Sequence, residues 1–323
     1  MRSTNTSHIL KSITTAIEIS AEDEKIALSL QPIIDLIGDS KTVALGEQTH
    51  GTCEFYLMKQ SIIKHLIEKK GFTLLCIERG NKEIDYVNQF LQGKSDESQF
   101  KNKMEASLGW MWFTDEVLNL LIWIKEYNRT AKHKISFHGF DIPDNEKGDQ
   151  EKINARHKVM AENLRSIRIE NPDEKMIIWA HNYHISKDCD MGELIAKQPI
   201  FSDYCAIGFA AFSGTFTGFL NDNGKFTLNR NNKLLDPTED SLESDLHKLS
   251  IVKGSQKLFV DFRKLKQDFE YSLRNSTANA AYQFFRRYKK FDFDGIIYFE
   301  NTEATREVSQ KFISKPSSLN NST

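Results

Sequence analysis

Acidic and imidazole side chains follow four separate apolar runs of this 323-residue chain. Those that come directly after the runs are Glu47 with His50, then Glu78, then Asp141, and finally His181 with His184. An imidazole titrates near neutral pH, so it can accept a proton from water, and a neighbouring carboxylate can orient the ring and stabilise its cation. Together these side chains predict a site that hydrolyses its substrate with activated water.

The apolar runs alternate with segments of helical periodicity, and this alternation decides how the side chains come together. After the run 42–45, for example, the apolar residues of 54–70 recur at three- and four-residue intervals until Gly71. Strands that alternate with helices predict an α/β fold with a mostly parallel central sheet flanked by helices. Ligands bind such sheets beyond the carboxyl ends of the strands. We therefore expect the active site at the C-terminal edge of the strands.

The rest of the pattern completes this fold. The predicted strands are 42–45, 72–77, 135–141, 176–180, 204–212, 257–262 and 295–299, and the predicted helices are 54–70, 81–91, 114–128 and 154–169. A polar loop is expected over 144–149, and a long surface excursion over 221–240. Residues 1–316 then form a single domain with a short helical insertion around 142–175, and a polar tail follows over 317–323.

Residues 46–51, Gly-Glu-Gln-Thr-His-Gly, predict a turn that leads into a helix. Its glycines permit a tight backbone, and a helix that begins near Thr52 would offer free N–H groups to a developing oxyanion. His181 and His184 place two further imidazoles within reach of one site. For Trp110 and Trp112 we favour ordinary core packing. In the alternative interpretation they line an apolar substrate cleft.

Several kinds of enzyme lack support because their motifs are absent. There is no GxSxG elbow of the α/β-hydrolase serine enzymes, no HExxH, no Walker A loop and no GxGxxG. Two or three histidines with glutamate also suit zinc or manganese. A metal-dependent ester or amide hydrolase, and a non-catalytic metal or haem binder, therefore stay open as alternatives to a metal-independent hydrolase.

The bulk composition gives no support for a nucleic acid or membrane partner. The formal net charge of −2 gives no general electrostatic case for binding nucleic acid or an anionic membrane. No stretch approaches 18 apolar residues, and residues 1–20 show no secretory signal. The four cysteines include no CxxC pair. We expect a cytoplasmic protein.

The chain resembles the erythromycin esterase family at the same residues. The main segments are Ala-Leu-Gly-Glu-Gln-Thr-His-Gly at 44–51, Gly-Phe-Asp at 139–141 and Trp-Ala-His-Asn at 179–182. Further segments that look like the family are 54–55, 71–73 with Glu78, 116–118, 127–128, 160–164, 191–192, 207–209, 214–216 and 293–295. They follow one another in order from about residue 40 to residue 300.

The resemblance implies that an ester is hydrolysed by activated water, without a covalent intermediate and without a metal. In the best-known members the ester is the macrolactone of 14-membered macrolides, and its hydrolysis confers antibiotic resistance. By motif match His50 would be the general base, and Glu47 and Glu78 would position the ring and the water. His181 and His184 would complete the site. A divalent metal at this cluster is kept as an alternative, since related folds with similar motifs use one.

Two departures from the family concern the site. Lys59 stands where the family usually has an arginine facing the site, and it keeps the charge but not the planar, two-pronged donor. Two interpretations stay open for it: an ordinary exposed helix lysine, or a side chain whose ammonium reaches Glu47 and Glu78 and keeps them ionised. The insertion between residues 142 and 175 is much shorter than usual, which predicts a smaller cover over the cleft and a different or smaller substrate.

Overall fold

The computed structural model describes residues 4–18, 23–143, 150–188 and 190–308. The helices within them are α1 Thr4–Ile13, α2 Asp23–Ile37, α3 Cys53–Lys70, α4 Asn81–Leu91, α5 Glu97–Leu108, α6 Asp115–Thr130, α7 Gln150–Glu170, α8 Asn182–Ile185, α9 Asp190–Ala196 and α10 Leu242–Lys253. The strands are β1 Thr14–Ala16, β2 Thr42–Leu45, β3 Phe72–Gly80, β4 Ser136–Asp141, β5 Lys175–Trp179, β6 Tyr204–Asp222, β7 Lys225–Lys233, β8 Lys257–Asp261, β9 Glu270–Ser276, β10 Gln283–Lys289 and β11 Gly295–Thr302.

Most of the strands form one sheet, in the order β1-β8-β11-β6-β2-β5-β3-β4. The strands from β11 to β4 pair in parallel, whereas β8 and β1 join one edge antiparallel. β2 lies between β5 and β6, so the turns that leave the carboxyl ends of β2 and β5 are neighbours. The predicted α/β class, with a mostly parallel central sheet flanked by helices, is confirmed.

Both faces of the sheet are buried under helices, as parallel strands require. In β5, Ile177 and Trp179 pack into the core that α2 to α6 cover, while Met176 and Ile178 pack into the opposite core with α1, α7, α9 and α10. Side chains of successive residues alternate between these two cores because a strand has a period of two. The burial of both faces explains why the strands appear in the sequence as continuous apolar runs.

The predicted elements are present, with one boundary that affects the site. β3 continues past Ile77 to Gly80, so Glu78 lies inside this strand and not after it. The pairing of β3 with β4 shifts register between Ile77 and Gly80, which is an irregularity typical of a β-bulge. The expected loop over 144–149 and the polar tail over 317–323 lie outside the described residues, and the single-domain division stays a prediction.

Two hairpins were not predicted. Residues 221–240 do lie largely on the surface, but β6 runs on through them to Asp222 and returns as β7. The turn between the strands has Asn223 at φ 50° and Gly224 at φ 87°, the left-handed pair that a two-residue hairpin prefers. The second hairpin, β9–β10, stands apart from the main sheet. The strand β1 and the helices α1, α2, α5, α8, α9 and α10 were not predicted either. Among the described residues, no helix combines the length and the apolar content that crossing a membrane requires.

Candidate active site

The turn after β2 carries Glu47 and His50 and is fixed by hydrogen bonds from distant parts of the chain. The carbonyl of Gly51 accepts from the N–H groups of Thr217 and Thr305 at 2.9 and 3.0 Å. Gly51 has φ +63°, and a Cβ there would lie 2.6 Å from the Cβ of Thr217. The positive φ and the lack of room for a Cβ both require glycine at this position. The backbone next to His50 is therefore fixed, and with it the position from which the ring extends.

His50 forms a dyad with Glu47, as the sequence led us to expect. Its Nδ1 lies 2.7 Å from Glu47 Oε1, and the ring lines a cavity. No described residue hydrogen-bonds its Nε2. Burial lowers the pKa of His50, but the hydrogen bond and charge of Glu47 outweigh this and raise the pKa above 6.5. The hydrogen bond to Glu47 thus engages Nδ1 and leaves Nε2 as the other ring nitrogen of a side chain that lines the cavity.

Lys59 reaches the same carboxylate from α3. Its Nζ lies 2.6 Å from Glu47 Oε2, the side chain has no exposed surface, and the Trp179 ring centre is 4.6 Å away. Trp179 Nε1 donates to Glu47 Oε2 at 2.9 Å. Burial raises the pKa of Glu47, but the charge of Lys59 and the bond from His50 lower it to about 2. Burial lowers the pKa of Lys59 to about 8. The expected contact with Glu47 is present, and the described residues show no contact of Lys59 with Glu78.

A second carboxylate, Glu78, is held by α7 and α8. Its Oε1 lies 2.8 Å from Arg156 Nη2 and 3.2 Å from His184 Nε2. Burial raises the pKa of Glu78, but the charges of His184 and Arg156 hold it well below 4.5. Asp141 lies beside Glu78 and binds Arg156 through both carboxylate oxygens, at 2.7 and 2.9 Å. Asp141 therefore acts on the site through Arg156.

His181 is positioned by hydrogen bonds at both ring nitrogens. Nδ1 accepts from Tyr183 N–H at 3.1 Å, so Nε2 carries the proton and donates to the Gln48 carbonyl at 2.9 Å. The backbone N–H of His181 also donates to Glu78 Oε2 at 3.2 Å. Burial, together with the charges of His50 and His184, lowers the pKa of His181 to about 3. The His181 ring is therefore neutral and fixed by the backbone, while the backbone of the same residue binds Glu78.

These groups border a cavity of about 490 Å³. His50, Glu78, Arg156, His181 and His184 line one side of it, and residues 276–278 of the β9–β10 hairpin close another. Of the two tryptophans for which a cleft role was the alternative, Trp110 meets the His50 ring edge-on at 6.3 Å between ring centres. Trp112 is buried in the core against Tyr56 and Trp179, which is the packing role that was favoured for it.

We expected free N–H groups for an oxyanion at the start of α3, and for the first of them this prediction is wrong. The N–H of Cys53 donates to the Glu303 carbonyl at 2.8 Å. Thr52 also pairs with Ala304. The segment after β11 therefore occupies this helix terminus, a contact between residues 250 positions apart that no local pattern in the sequence could predict.

The donor chemistry of the cluster matters for the question of a metal. In the described residues, no group of three or more His, Cys, Asp or Glu side chains is arranged to share a metal ion. Lys59 and Arg156 are bound to Glu47 and Glu78, the carboxylates that a metal would need. Each of these two carboxylates thus already has a protein cation bound to it.

Sequence reasoning missed three residues of the site. Arg156 and His157 lie on the predicted helix over 154–169, and Trp179 lies in a predicted strand, yet no role was assigned to any of them. His157 lines the cavity, and its Nδ1 lies 3.1 Å from Asp190 Oδ1. A charged residue on a mostly polar helix carries no local signal, because the face it presents depends on how α7 packs.

An α/β sheet that gathers glutamates and histidines at its C-terminal edge defines a class of candidate hydrolytic site. The erythromycin esterase family model matches residues 67–153 and 144–311, more than half of the chain. The chain belongs to the erythromycin esterase family.

Curated relatives align with part of this chain. Erythromycin esterase type II of Escherichia coli is 33% identical over 115 residues, which are 36% of this chain and 26% of that protein. Erythromycin esterase type I of Escherichia coli is 25% identical over 114 residues, and the putative hydrolase YbfO of Bacillus subtilis (strain 168) is 33% identical over 104. The matched part spans about a quarter of the length of these relatives.

Solved structures share the fold over nearly the whole chain. A protein from Bacillus cereus has a TM-score of 0.71 at 19% identity, covering 96% of this chain and 100% of that one. A succinoglycan biosynthesis protein has a TM-score of 0.70 at 18% identity, covering 94% and 98%. A mutant of the erythromycin esterase EreC in its open conformation has a TM-score of 0.63 at 16% identity, covering 87% and 96%. At these identities the likeness concerns the fold.

Proposed function

We propose that this protein hydrolyses an ester or lactone of a small molecule with a water activated by His50. The observation that carries the proposal is the buried dyad, in which Glu47 binds Nδ1 and Nε2 has no partner among the described residues, while the ring lines the cavity. Membership of the erythromycin esterase family supports the reaction class.

The reaction follows from the proton-accepting nitrogen of the dyad. The water oxygen attacks the carbonyl carbon while His50 Nε2 takes one proton, and the carbonyl electron pair moves to its oxygen. When the carbonyl re-forms, the bond to the alkoxy oxygen breaks and the His50 imidazolium returns the proton to that oxygen. The products are a carboxylic acid and an alcohol. Glu47 stabilises the imidazolium, and Glu78, on the cavity wall, is placed to accept a hydrogen bond from the water.

We further propose that no metal takes part. Lys59 and Arg156 already bind the two carboxylates at 2.6 and 2.8 Å, so these oxygens are engaged by protein cations. The cavity volume falls within the range of small-molecule sites, and macrolide lactones are one class to test. A cytoplasmic location agrees with the three described cysteines, Cys53, Cys76 and Cys205, which are free thiols.

The test is hydrolysis of p-nitrophenyl butyrate, simple lactones and erythromycin by the purified protein, followed by absorbance or mass spectrometry. The wild type should hydrolyse at least one of them, and excess EDTA should leave the rate unchanged. His50→Ala should lower kcat by about two to four orders of magnitude, the usual contribution of a general base. Its circular dichroism should match the wild type, because the ring lines a cavity and is not part of the core.

His133→Ala is the matched control, because His133 is exposed on the loop before β4 and should have no effect. A His50→Ala variant that keeps more than half of the wild-type rate contradicts the assigned base. A rate that EDTA abolishes and zinc or manganese restores favours the metal-dependent alternative.

A further inference from the structure

We infer that Arg156 is a catalytic residue, which binds the oxyanion that forms when water adds to the substrate carbonyl. This inference rests on the proposed hydrolysis and assigns the one charge in that step that the dyad leaves unstabilised. A tetrahedral oxyanion needs hydrogen-bond donors aimed at the position where its charge develops. Four other donors near the site can therefore be compared with Arg156.

Three donors that a sequence would suggest are already engaged or enclosed. Lys59 has no exposed surface and is bound to Glu47, so it cannot touch a substrate. The N–H of Cys53, at the start of α3, is bonded to a backbone carbonyl. His181 uses both ring nitrogens in bonds to the backbone.

His184 has a buried Nδ1 without a hydrogen-bond partner in the described part of the chain. Its Nε2 lies 3.2 Å from the Glu78 carboxylate, which only accepts hydrogen bonds when ionised. Nε2 is therefore engaged by Glu78. Nδ1 is enclosed by the protein, so His184 has no ring nitrogen exposed to bind an oxyanion in the cavity.

Arg156 has the geometry that the others lack. Asp141 binds its Nε and Nη2, and Glu78 Oε1 binds Nη2 as well. Nη1 has no partner among the described residues, although the guanidinium lines the cavity and the side chain is 23% exposed. Two carboxylates thus fix the guanidinium plane through Nε and Nη2, and they leave the N–H groups of Nη1 directed away from them.

The charge of Arg156 is permanent in this setting. Burial lowers the pKa of the guanidinium, but the hydrogen bonds of Asp141 and the charge of Glu78 raise it further above its ordinary value. Because the group is already oriented, it binds the oxyanion without rearrangement in the transition state. The electron pair of the carbonyl moves to its oxygen beside Nη1 and returns when the alkoxy bond breaks, while the proton stays with His50.

The experiment combines kinetics with binding of an anionic tetrahedral probe. Arg156→Gln should lower kcat for p-nitrophenyl butyrate by about 10²- to 10³-fold, while KM changes by less than about threefold. The p-nitrophenyl monoester of methylphosphonic acid carries the tetrahedral anion, and calorimetry should show its Kd weakened by a similar factor. Arg156→Lys should fall between the two, because it keeps the charge but loses the fork.

Arg165→Gln is the matched control, since Arg165 lies on the same helix with its side chain 48% exposed and paired only loosely with Glu162 at 3.7 Å. It should match the wild type in every measurement. Urea unfolding identifies a variant that has lost its fold, and Arg156→Lys then carries the test.

The outcomes separate this inference from the proposed function. A wild type that hydrolyses no ester or lactone overturns the function, and the phosphonate titration still decides whether Arg156 binds a tetrahedral anion. If Arg156→Gln is slow yet binds the phosphonate like the wild type, Arg156 only positions Glu78 and the inference is wrong. If Arg156→Gln keeps the wild-type kcat, the inference is wrong as well.

Discussion

At the scale of single residues, the site is organised by opposed charges around one imidazole. Glu47 raises the pKa of His50, and Lys59, bound to the other oxygen of Glu47, lowers it. The charge of Lys59 thus limits how strongly the carboxylate holds the proton of the imidazolium. A general base works best with a pKa near the working pH, so the pair sets the basicity of His50.

The pH dependence of kcat/KM should report this balance. His50 must be neutral to act, so the rate should rise with pH along a limb centred above 6.5. Glu47→Gln removes the influence that raises the pKa of His50 and should move the limb to lower pH. Lys59→Met removes a positive charge that lowers the pKa of His50 and should move the limb to higher pH. Both variants should also lose kcat.

Lys64→Met is the control for these profiles, because Lys64 lies on the same helix but packs over Trp123, 5.3 Å from the ring centre. Its profile should overlay that of the wild type. Shifts of Glu47→Gln and Lys59→Met in the same direction would show that the limb does not belong to His50.

How much of the site the sequence could predict depends on where each residue lies relative to a strand. Glu47, His50 and His181 follow strands, so the alternation of elements was enough to bring them to one edge. Arg156 reaches the same cavity from the interior of α7, and nothing in the local sequence distinguishes it from the exposed Arg165. The packing of a helix decides between them, and a pattern of residue types does not contain that information.

At the scale of elements, the turn between β2 and α3 is where backbone geometry places the Glu47–His50 dyad. Its position depends on Thr217 in β6 and on Thr305 after β11, which both donate to Gly51. The predicted strand and helix at either end were correct. The contacts that hold the turn come from the missed β6–β7 hairpin and from the end of the described chain, and neither is close in sequence.

Gly51→Ala should therefore impair activity far more than an alanine at another left-handed glycine. Gly71 ends α3 with φ +71° and has nothing within 4 Å of an added Cβ, so Gly71→Ala should cost only about 1–2 kcal/mol of stability and keep kcat. Gly51→Ala adds a contact of 2.6 Å with Thr217, so the turn must move and carry His50 with it. Urea unfolding and kcat/KM, measured on both variants, test this.

Both glycines have φ near +65°, so an alanine is strained to a similar degree at either position. A difference in activity between the two variants therefore reports the contact with Thr217 and not the backbone strain. Equal activities of the two variants would show that the turn adapts to a side chain, and that its contact with β6 does not position the His50 ring.

At the scale of the whole molecule, buried ion pairs make stability depend on acidity. The pKa of Glu47 is about 2 in the folded protein, against 4.5 for an ordinary glutamate. Its contribution to stability is present above pH 4.5 and is lost as the pH falls toward 2. Glu78 acts in the same direction, because its pKa is also held well below 4.5.

The free energy of unfolding should decrease between pH 5 and pH 3, with Glu47 contributing up to about 1.4 kcal/mol per pH unit. The double variant Glu47→Gln with Lys59→Met removes the pair without leaving a lone buried charge. It should show a smaller slope over this range in urea unfolding followed by circular dichroism. The same slope in both proteins would mean that Glu47 takes up its proton equally in the folded and unfolded states.

The strap formed by residues 303–305 also has a consequence for the order in which the protein becomes competent during synthesis. Cys53 and Gly51 are bound by Glu303 and Thr305, which leave the ribosome some 250 residues after them. While the nascent chain is still growing, the segment that carries His50 lacks two of the partners that hold its backbone. The backbone of that segment is thus held in place only after residues 303–305 have been made, and a chain that stops before them lacks both contacts.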